Sequence, residues 1–188
     1  TSALPNALFR VDSISEDSLN LFRSNFKVSD VLFAKTVSDA LDIDFSDGSI
    51  VNAEFLNVGN DGIDVSGSKV SLQNITINSA GDKAISIGER SSLFAENLKI
   101  SNTSIGIASK DLSSGKFNNI VVENLDLCMV AFQKKAEYGP AYLEIDNKNQ
   151  LNTCNSYLLE TGSGIFLQGK TLKPNSDLDK VVIKAKLA

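Results

Sequence analysis

The 188-residue sequence predicts an all-β chain folded as a right-handed parallel β-helix with coils of about 22 residues. Three observations predict it. A small residue recurs at a fixed interval, a polar marker recurs at nearly the same interval, and each repeat carries at least two apolar segments of period two.

The first marker is Ala40, Gly62, Ala84 and Gly106, spaced 22 residues apart. Three of the four stand before an apolar–x–apolar triplet: Leu41-Asp42-Ile43, Ile63-Asp64-Val65 and Ile85-Ser86-Ile87, with the related Ile107-Ala108-Ser109 after Gly106. The register runs back to Ser18-Leu19-Asn20-Leu21 and forward, less regularly, to Ala131-Phe132-Gln133. Alternation of this kind places one side chain inside and the next outside.

The second marker is Asn52, Asn74, Asn97 and Asn119, with Asp30 and Asn6 in the same slot of earlier coils. Each of the four Asn markers precedes another short apolar segment, such as Ile75-Thr76-Ile77. A third polar set follows five residues later at Asn57, Ser79, Asn102 and Asn124. Stacked coils pair their strands in parallel about 4.8 Å apart. An Asn at a corner then bonds to the Asn above and below it, as a ladder that satisfies a buried turn. Six ladder positions in register carry the assignment; one would not. A leucine-rich repeat shares the period but would show one strand per repeat and a Leu-dominated core. Val, Ile and Phe between Gly, Ser, Asn and Asp turns read as strands throughout.

After Gly115 the coils lose regularity. Lys134–Pro140 reads as a loop protruding from one coil, and Gly162–Gly169 matches Gly67–Asn74, which places a further coil near Tyr157–Gly169. The β-helix is expected over residues 1–174, and residues 175–188 form a charged tail that would cap an exposed solenoid end.

These coils resemble the pectin-lyase-like superfamily of right-handed β-helices over nearly the whole chain. More narrowly, Gly81–Glu89, Gly106–Leu112 and Ala131–Lys135 resemble β-helix domains associated with bacterial CotH-type kinase-like proteins. The superfamily holds lyases, hydrolases, epimerases, tailspikes and adhesins, so the resemblance implies architecture and leaves the chemistry open. Polygalacturonase-like hydrolases carry an NTDG-type aspartate, a GDD-type pair, a histidine and an RIK-type cation pair. Asn60-Asp61-Gly62 is similar to the first element, but Lys83 replaces the second aspartate after Asp82, and the chain contains no His. An inverting site needs two carboxylates in acid and base roles, so hydrolase activity of this type is not expected.

Composition narrows the function further. Apolar residues make up 42%, which argues against disorder. A formal net charge of −5 argues against a nucleic-acid partner. No apolar run approaches a membrane span. No signal peptide is visible, and the chain starts at Thr1, so a cleaved export signal is compatible with it. Cys128 and Cys154 read as buried free thiols, with a disulfide inside one long coil as the alternative.

The middle residues of the triplets, Asn20, Asp42, Asp64, Ser86, Ala108 and Gln133, are expected to form one outward column. Asp42 and Asp64 then lie about 5 Å apart, with Asp39, Asp44, Asp61 and Asp82 nearby. Like charges so close raise a pKa or attract a cation. Asp42, Asp44 and Asp64 are thus a candidate metal set, with Ca²⁺ as the cation and no other cofactor indicated. A solvated acidic face is the competing reading. Lys83, Arg90, Lys110, Lys134 and Lys135 follow along the axis. The lyase resemblance would give Asp42, Asp64, Lys83 and Lys110 a role in proton abstraction beside a uronate; ordinary cross-coil ion pairing is the alternative. The candidate ligand-binding set is Asp42, Asp61, Asp64, Asp82, Lys83, Arg90 and Lys110. The expected function is a non-catalytic, extracytoplasmic bacterial β-helix that binds or scaffolds polysaccharide or a cell-surface protein. A carbohydrate-active enzyme and a structural spacer or adhesin segment are the alternatives. Oligomeric state is not legible.

Overall fold

The structure is a computed structural model and describes residues 9–11, 17–146 and 156–175. Asn6, Cys154 and the tail from residue 176 onward lie outside the described residues.

The described residues form strands and turns without a helix, and every strand pairing but one is parallel. Two stacks of strands run along the solenoid. One contains β1 (Phe9–Val11), β3 (Asn25–Ala34), β5 (Asp47–Val58), β7 (Lys69–Ala80), β9 (Ser92–Lys110), β10 (Ser114–Phe132), β11 (Tyr142–Asp146) and β13 (Gly164–Leu167). The other contains β2 (Leu19–Phe22), β4 (Leu41–Asp44), β6 (Ile63–Ser66) and β8 (Lys83–Gly88), and continues through the last parts of β9 and β10 to β12 (Tyr157–Leu159). The chain is the β-helix that the repeats predict, with about six turns.

Each coil turns three corners, and each corner carries a left-handed residue. One column is Asp30, Asn52, Asn74, Asn97 and Asn119, with φ between 55° and 57°. The next is Lys35, Asn57, Ser79, Asn102 and Asn124. The third includes Phe45, Gly67, Glu89 and Asp111. Asn and Gly tolerate this backbone and most residues do not, which explains the Asn marker. The three corners define three faces. The first holds the short strands β2, β4, β6 and β8. The second runs from the third column to the Asn ladder, and the last lies between the two Asn-bearing columns.

The ladder stands at the expected positions from Asp30 to Asn119 but on the surface. Asn52 donates to Asp30 at 3.0 Å, Asn74 to Asn52 at 3.0 Å, Asn97 to Asn74 at 3.0 Å and Asn119 to Asn97 at 2.6 Å. These amides are exposed, not buried. At the next corner Asn124 donates to Asn102, which donates past Ser79 to Asn78.

A serine ladder fills the buried corner. The Oγ atoms of Ser46, Ser68, Ser91 and Ser113 accept the backbone N–H of Ser24, Ser46, Ser68 and Ser91. All four serines are buried. They supply what a buried turn needs, an acceptor for an amide that no strand partner reaches.

Inside the solenoid, like residues stack on like. Phe33 and Phe55 lie in register with ring centroids 4.9 Å apart. Ile77, Ile100 and Val122 continue that column, and Ile43, Val65 and Ile87 form another. Burial of such side chains supplies most of the stabilisation of a sheet core.

The 22-residue register persists one coil beyond its expected end. Ile107 pairs with Met129 and Ala108 with Val130, so Val130, not Gln133, continues the column, whose members Ser86, Ala108 and Val130 are buried and not, as expected, turned to solvent. The irregularity follows Phe132. Ser114 pairs with Tyr142 at a step of 28, against 22 for Ser92 with Ser114, so six residues are inserted. They fall in the Lys134–Pro140 loop. The coil at Gly162–Gly169 is present, with Gly164, Ile165, Phe166 and Leu167 stacked on β11. After it, β14 (Lys170–Thr171) folds back antiparallel on β13. Asn175 then bonds to Leu159 N–H and Tyr157 C=O on β12. Asn175 is the first residue of the expected tail, and the rest of that tail lies outside the described residues.

Cys128 is disulfide-bonded, which corrects the expectation of a buried free thiol; the chain's other cysteine, Cys154, lies outside the described residues.

Candidate functional site

The first face holds the charged residues singled out from the sequence. Asp42 and Asp64 are register partners on β4 and β6, followed by Ser86 on β8. Asn20 donates to Asp42 Oδ2 at 2.6 Å. Burial, then the charges of Asp44 and Asp64, push the Asp42 carboxyl from its ordinary 3.8 up to about 7. Burial also raises Asp39 and Asp44. The register partner of Asp44 on β6 is Ser66, and among the described residues no three Cys, Asp or Glu side chains gather as a metal set. Asp64 Oδ1 and Ser86 Oγ are buried without a protein hydrogen-bond partner.

Asp61 and Lys83 are placed otherwise than an exposed ligand face requires. They share the inward parity of Ile63 and Ile85 and are buried at the corner. Asp61 N–H donates to Asp39 Oδ1 at 2.8 Å, and Lys83 N–H donates to Asp61 Oδ1 at 3.0 Å. The Lys83 ammonium reaches both Asp61 and Asp82. The coil-to-coil carboxylate stack thus ends on a lysine, and Ile105 occupies the next coil. Burial pushes Asp61 up to about 6 against the pull of Lys83, while Asp61 and Asp82 hold Lys83 up despite its burial. Both groups are ionised at neutral pH. Lys83 therefore neutralises a structural aspartate at the position where a GDD-type pair would present its second carboxylate.

The inserted loop is fixed over the neighbouring corner. Asp111 Oδ1 accepts the N–H groups of Lys134 and Lys135, each at 2.7 Å. Lys135 pairs with Glu89, and the Arg90 guanidinium lies 5.5 Å from the Tyr138 ring centroid. Lys110 is buried, with its Cε beside Gly88. Burial, then the charges of Lys110 and Lys83, lower the Lys134 ammonium. Arg90 and Lys135 thus serve the loop, and Asp42, Asp64, Lys110 and Lys134 remain as a mixed-charge group on this face.

The second face carries a feature that the sequence reading missed. Phe94, Lys116, Glu144 and Phe166 follow one another in register on β9, β10, β11 and β13. Beside them runs a column of Ser92, Ser114, Tyr142 and Gly164. A row in which Tyr142 alone has a long side chain, beside a row of long ones, leaves a trough. It is a cleft of about 620 Å³ that spans four coils and ends at Thr171. Phe94, Tyr142 and Phe166 are exposed. A Cβ on Gly164 would lie 3.0 Å from Tyr142 Cδ1, so the Tyr142 ring lies across the space that glycine leaves open. Lys116 Nζ and Glu144 Oε1 are 2.7 Å apart and compensate each other.

The comparisons agree with this architecture. A family model described as a right-handed beta helix region matches residues 20–177. No curated protein and no solved structure is matched by the chain. With its coils in register and most of its length under one family model, the chain belongs to the right-handed β-helix family.

Proposed function

We propose that the chain is a non-catalytic β-helix module that binds a glycan outside the cytoplasm, in the cleft on the second face. The observation that carries this reading is the set of three exposed rings, Phe94, Tyr142 and Phe166, lining one open trough across four coils. The C–H faces of pyranose rings pack on exposed aromatic rings while hydroxyls reach neighbouring polar groups. Ser92, Ser114, Lys116 and Glu144 offer those groups. The reading includes the pectin-lyase-like superfamily, and the Asn ladder supports it. The disulfide at Cys128 supports an oxidising compartment. Isothermal titration with an oligosaccharide panel tests the proposal on wild type and on Tyr142→Ala/Phe166→Ala. Binding lost in the double variant supports it. Binding only to a protein on this face would make the module a scaffold for a partner instead.

A second reading, acid–base chemistry on a uronate, is favoured by one observation. Asp42 is raised to about 7 and Lys134 is lowered on the same face, which brings their pKa values toward a working range. Ultraviolet detection of an unsaturated uronate product, lost in Asp42→Asn, would establish it.

A further inference from the structure

We propose that the cleft on the second face selects an uncharged glycan laid along the solenoid axis, and discriminates against polyuronates. This rests on the glycan-binding reading above and adds the class of ligand.

The argument begins with direction. The trough follows the strand-to-strand direction, because Phe94 and Phe166 occupy one register column three coils apart. At about 4.8 Å per coil that separation is roughly 14 Å. Tyr142 stands in the adjacent column, one coil before Phe166. A ligand touching all three rings must therefore be extended and run along the axis, not along a strand.

The charge of the site comes next. Between the outer rings lie one cation and one anion, Lys116 and Glu144, and they are register partners held at 2.7 Å. A uronate carboxylate that accepted a free N–H of Lys116 would sit beside Glu144, a like charge that already compensates this cation. A neutral hydroxyl pays no such penalty, since it donates to Glu144 and accepts from Lys116 while the pair stays intact. The other polar lining residues, Ser92, Ser114 and Thr171, are uncharged. The formal net charge of −5 adds a weak general repulsion of polyanions.

Titration calorimetry on the whole chain tests this. Neutral gluco-, galacto- and manno-oligosaccharides and an oligogalacturonate are the probes, at low and physiological salt. The expected result is that at least one neutral oligosaccharide binds at least tenfold tighter than the oligogalacturonate. Tyr142→Ala is expected to weaken it tenfold with unchanged circular dichroism. Glu144→Gln frees the Lys116 charge, so it is expected to improve oligogalacturonate binding at least threefold and to lower the ratio of neutral-glycan to oligogalacturonate affinity accordingly. Preference for the oligogalacturonate in wild type, sensitive to Tyr142→Ala, would overturn the selectivity and leave the glycan-binding reading standing. Binding unaffected by Tyr142→Ala and Phe166→Ala, or no binding by either class, would overturn both.

Discussion

Lys83 Nζ lies 3.4 Å from Asp61 Oδ1, with both side chains at most 5% exposed. The lysine terminates a carboxylate stack that climbs from Asp39 through Asp61. Removing one partner of a buried pair leaves an uncompensated charge, which costs about 3–5 kcal/mol. Lys83→Met is therefore expected to lose about 3 kcal/mol or more in urea unfolding at neutral pH. At pH 4.5 Asp61 is protonated more readily without its lysine, and the loss is expected to shrink. An equal loss at both pH values would count against a charge origin.

Asp42 sets a pH dependence of definite sign. Its carboxyl is raised in the folded protein from the ordinary 3.8 to about 7, first by burial and then by Asp44 and Asp64. The folded state thus holds a proton that the unfolded chain has released. The contribution is fully present below about pH 4, declines as pH rises, and is gone above about pH 7. Asp39, Asp44 and Asp61 are shifted in the same direction. Thermal melts from pH 4 to 8 are expected to show a falling midpoint over this window. Asp42→Asn is expected to flatten the fall and to exceed wild type in stability at pH 8. A midpoint that rises across the window in wild type would reject the assignment.

The exposed and buried ladders separate two causes of corner stability. Asn74 has φ 55° and an exposed amide, so the cost of Asn74→Ala is mainly the left-handed backbone, about 1–2 kcal/mol. Asn74→Gly is expected to recover most of it. Ser68 Oγ is buried and accepts Ser46 N–H at 2.8 Å, so Ser68→Ala strands a buried donor and costs about 1–3 kcal/mol. Urea unfolding of the three variants decides the matter. Equal losses for Asn74→Ala and Asn74→Gly would assign the Asn ladder to its amide bonds.

Stacking made the fold legible, because every coil repeats the same backbone and left-handed corners admit few residue types. Asn52, Asn74, Asn97 and Asn119 were readable for that reason. The serine ladder was equally periodic, at Ser46, Ser68, Ser91 and Ser113, but serine is common and recurs at many other positions of the coils. Alternation also fails at a corner, where inside and outside are reset. Asp61 and Lys83 looked like ends of an outward face, yet they carry the inward parity of Ile63 and Ile85. The aromatic cleft was not legible because the six-residue insertion after Phe132 shifts Tyr142 and Phe166 out of the 22-residue count from Phe94. Only the pairing register brings those rings together.

Gly164 offers a test of the cleft that substitutes none of the ligand-contacting side chains. The sequence allows an outward side chain there, since Lys69, Ser92, Ser114 and Tyr142 occupy the equivalent positions. Its φ does not fall in the left-handed region, so alanine meets no backbone strain. The obstacle is the Tyr142 ring, with Cδ1 3.0 Å and Cε1 3.3 Å from an added Cβ. An exposed ring can swing away at small cost, so Gly164→Ala is expected to change stability by less than about 1 kcal/mol. The swing would lift Tyr142 off the trough floor and misalign it with Phe166. Oligosaccharide affinity is therefore expected to fall several-fold in titration calorimetry, while Gly162→Ala, strained by its φ of 99° but with no atom within 4 Å of the added Cβ, is expected to lose stability and leave affinity unchanged. Unaltered affinity in Gly164→Ala, with the Tyr142 ring shown by NMR to have moved, would remove Tyr142 from the binding surface.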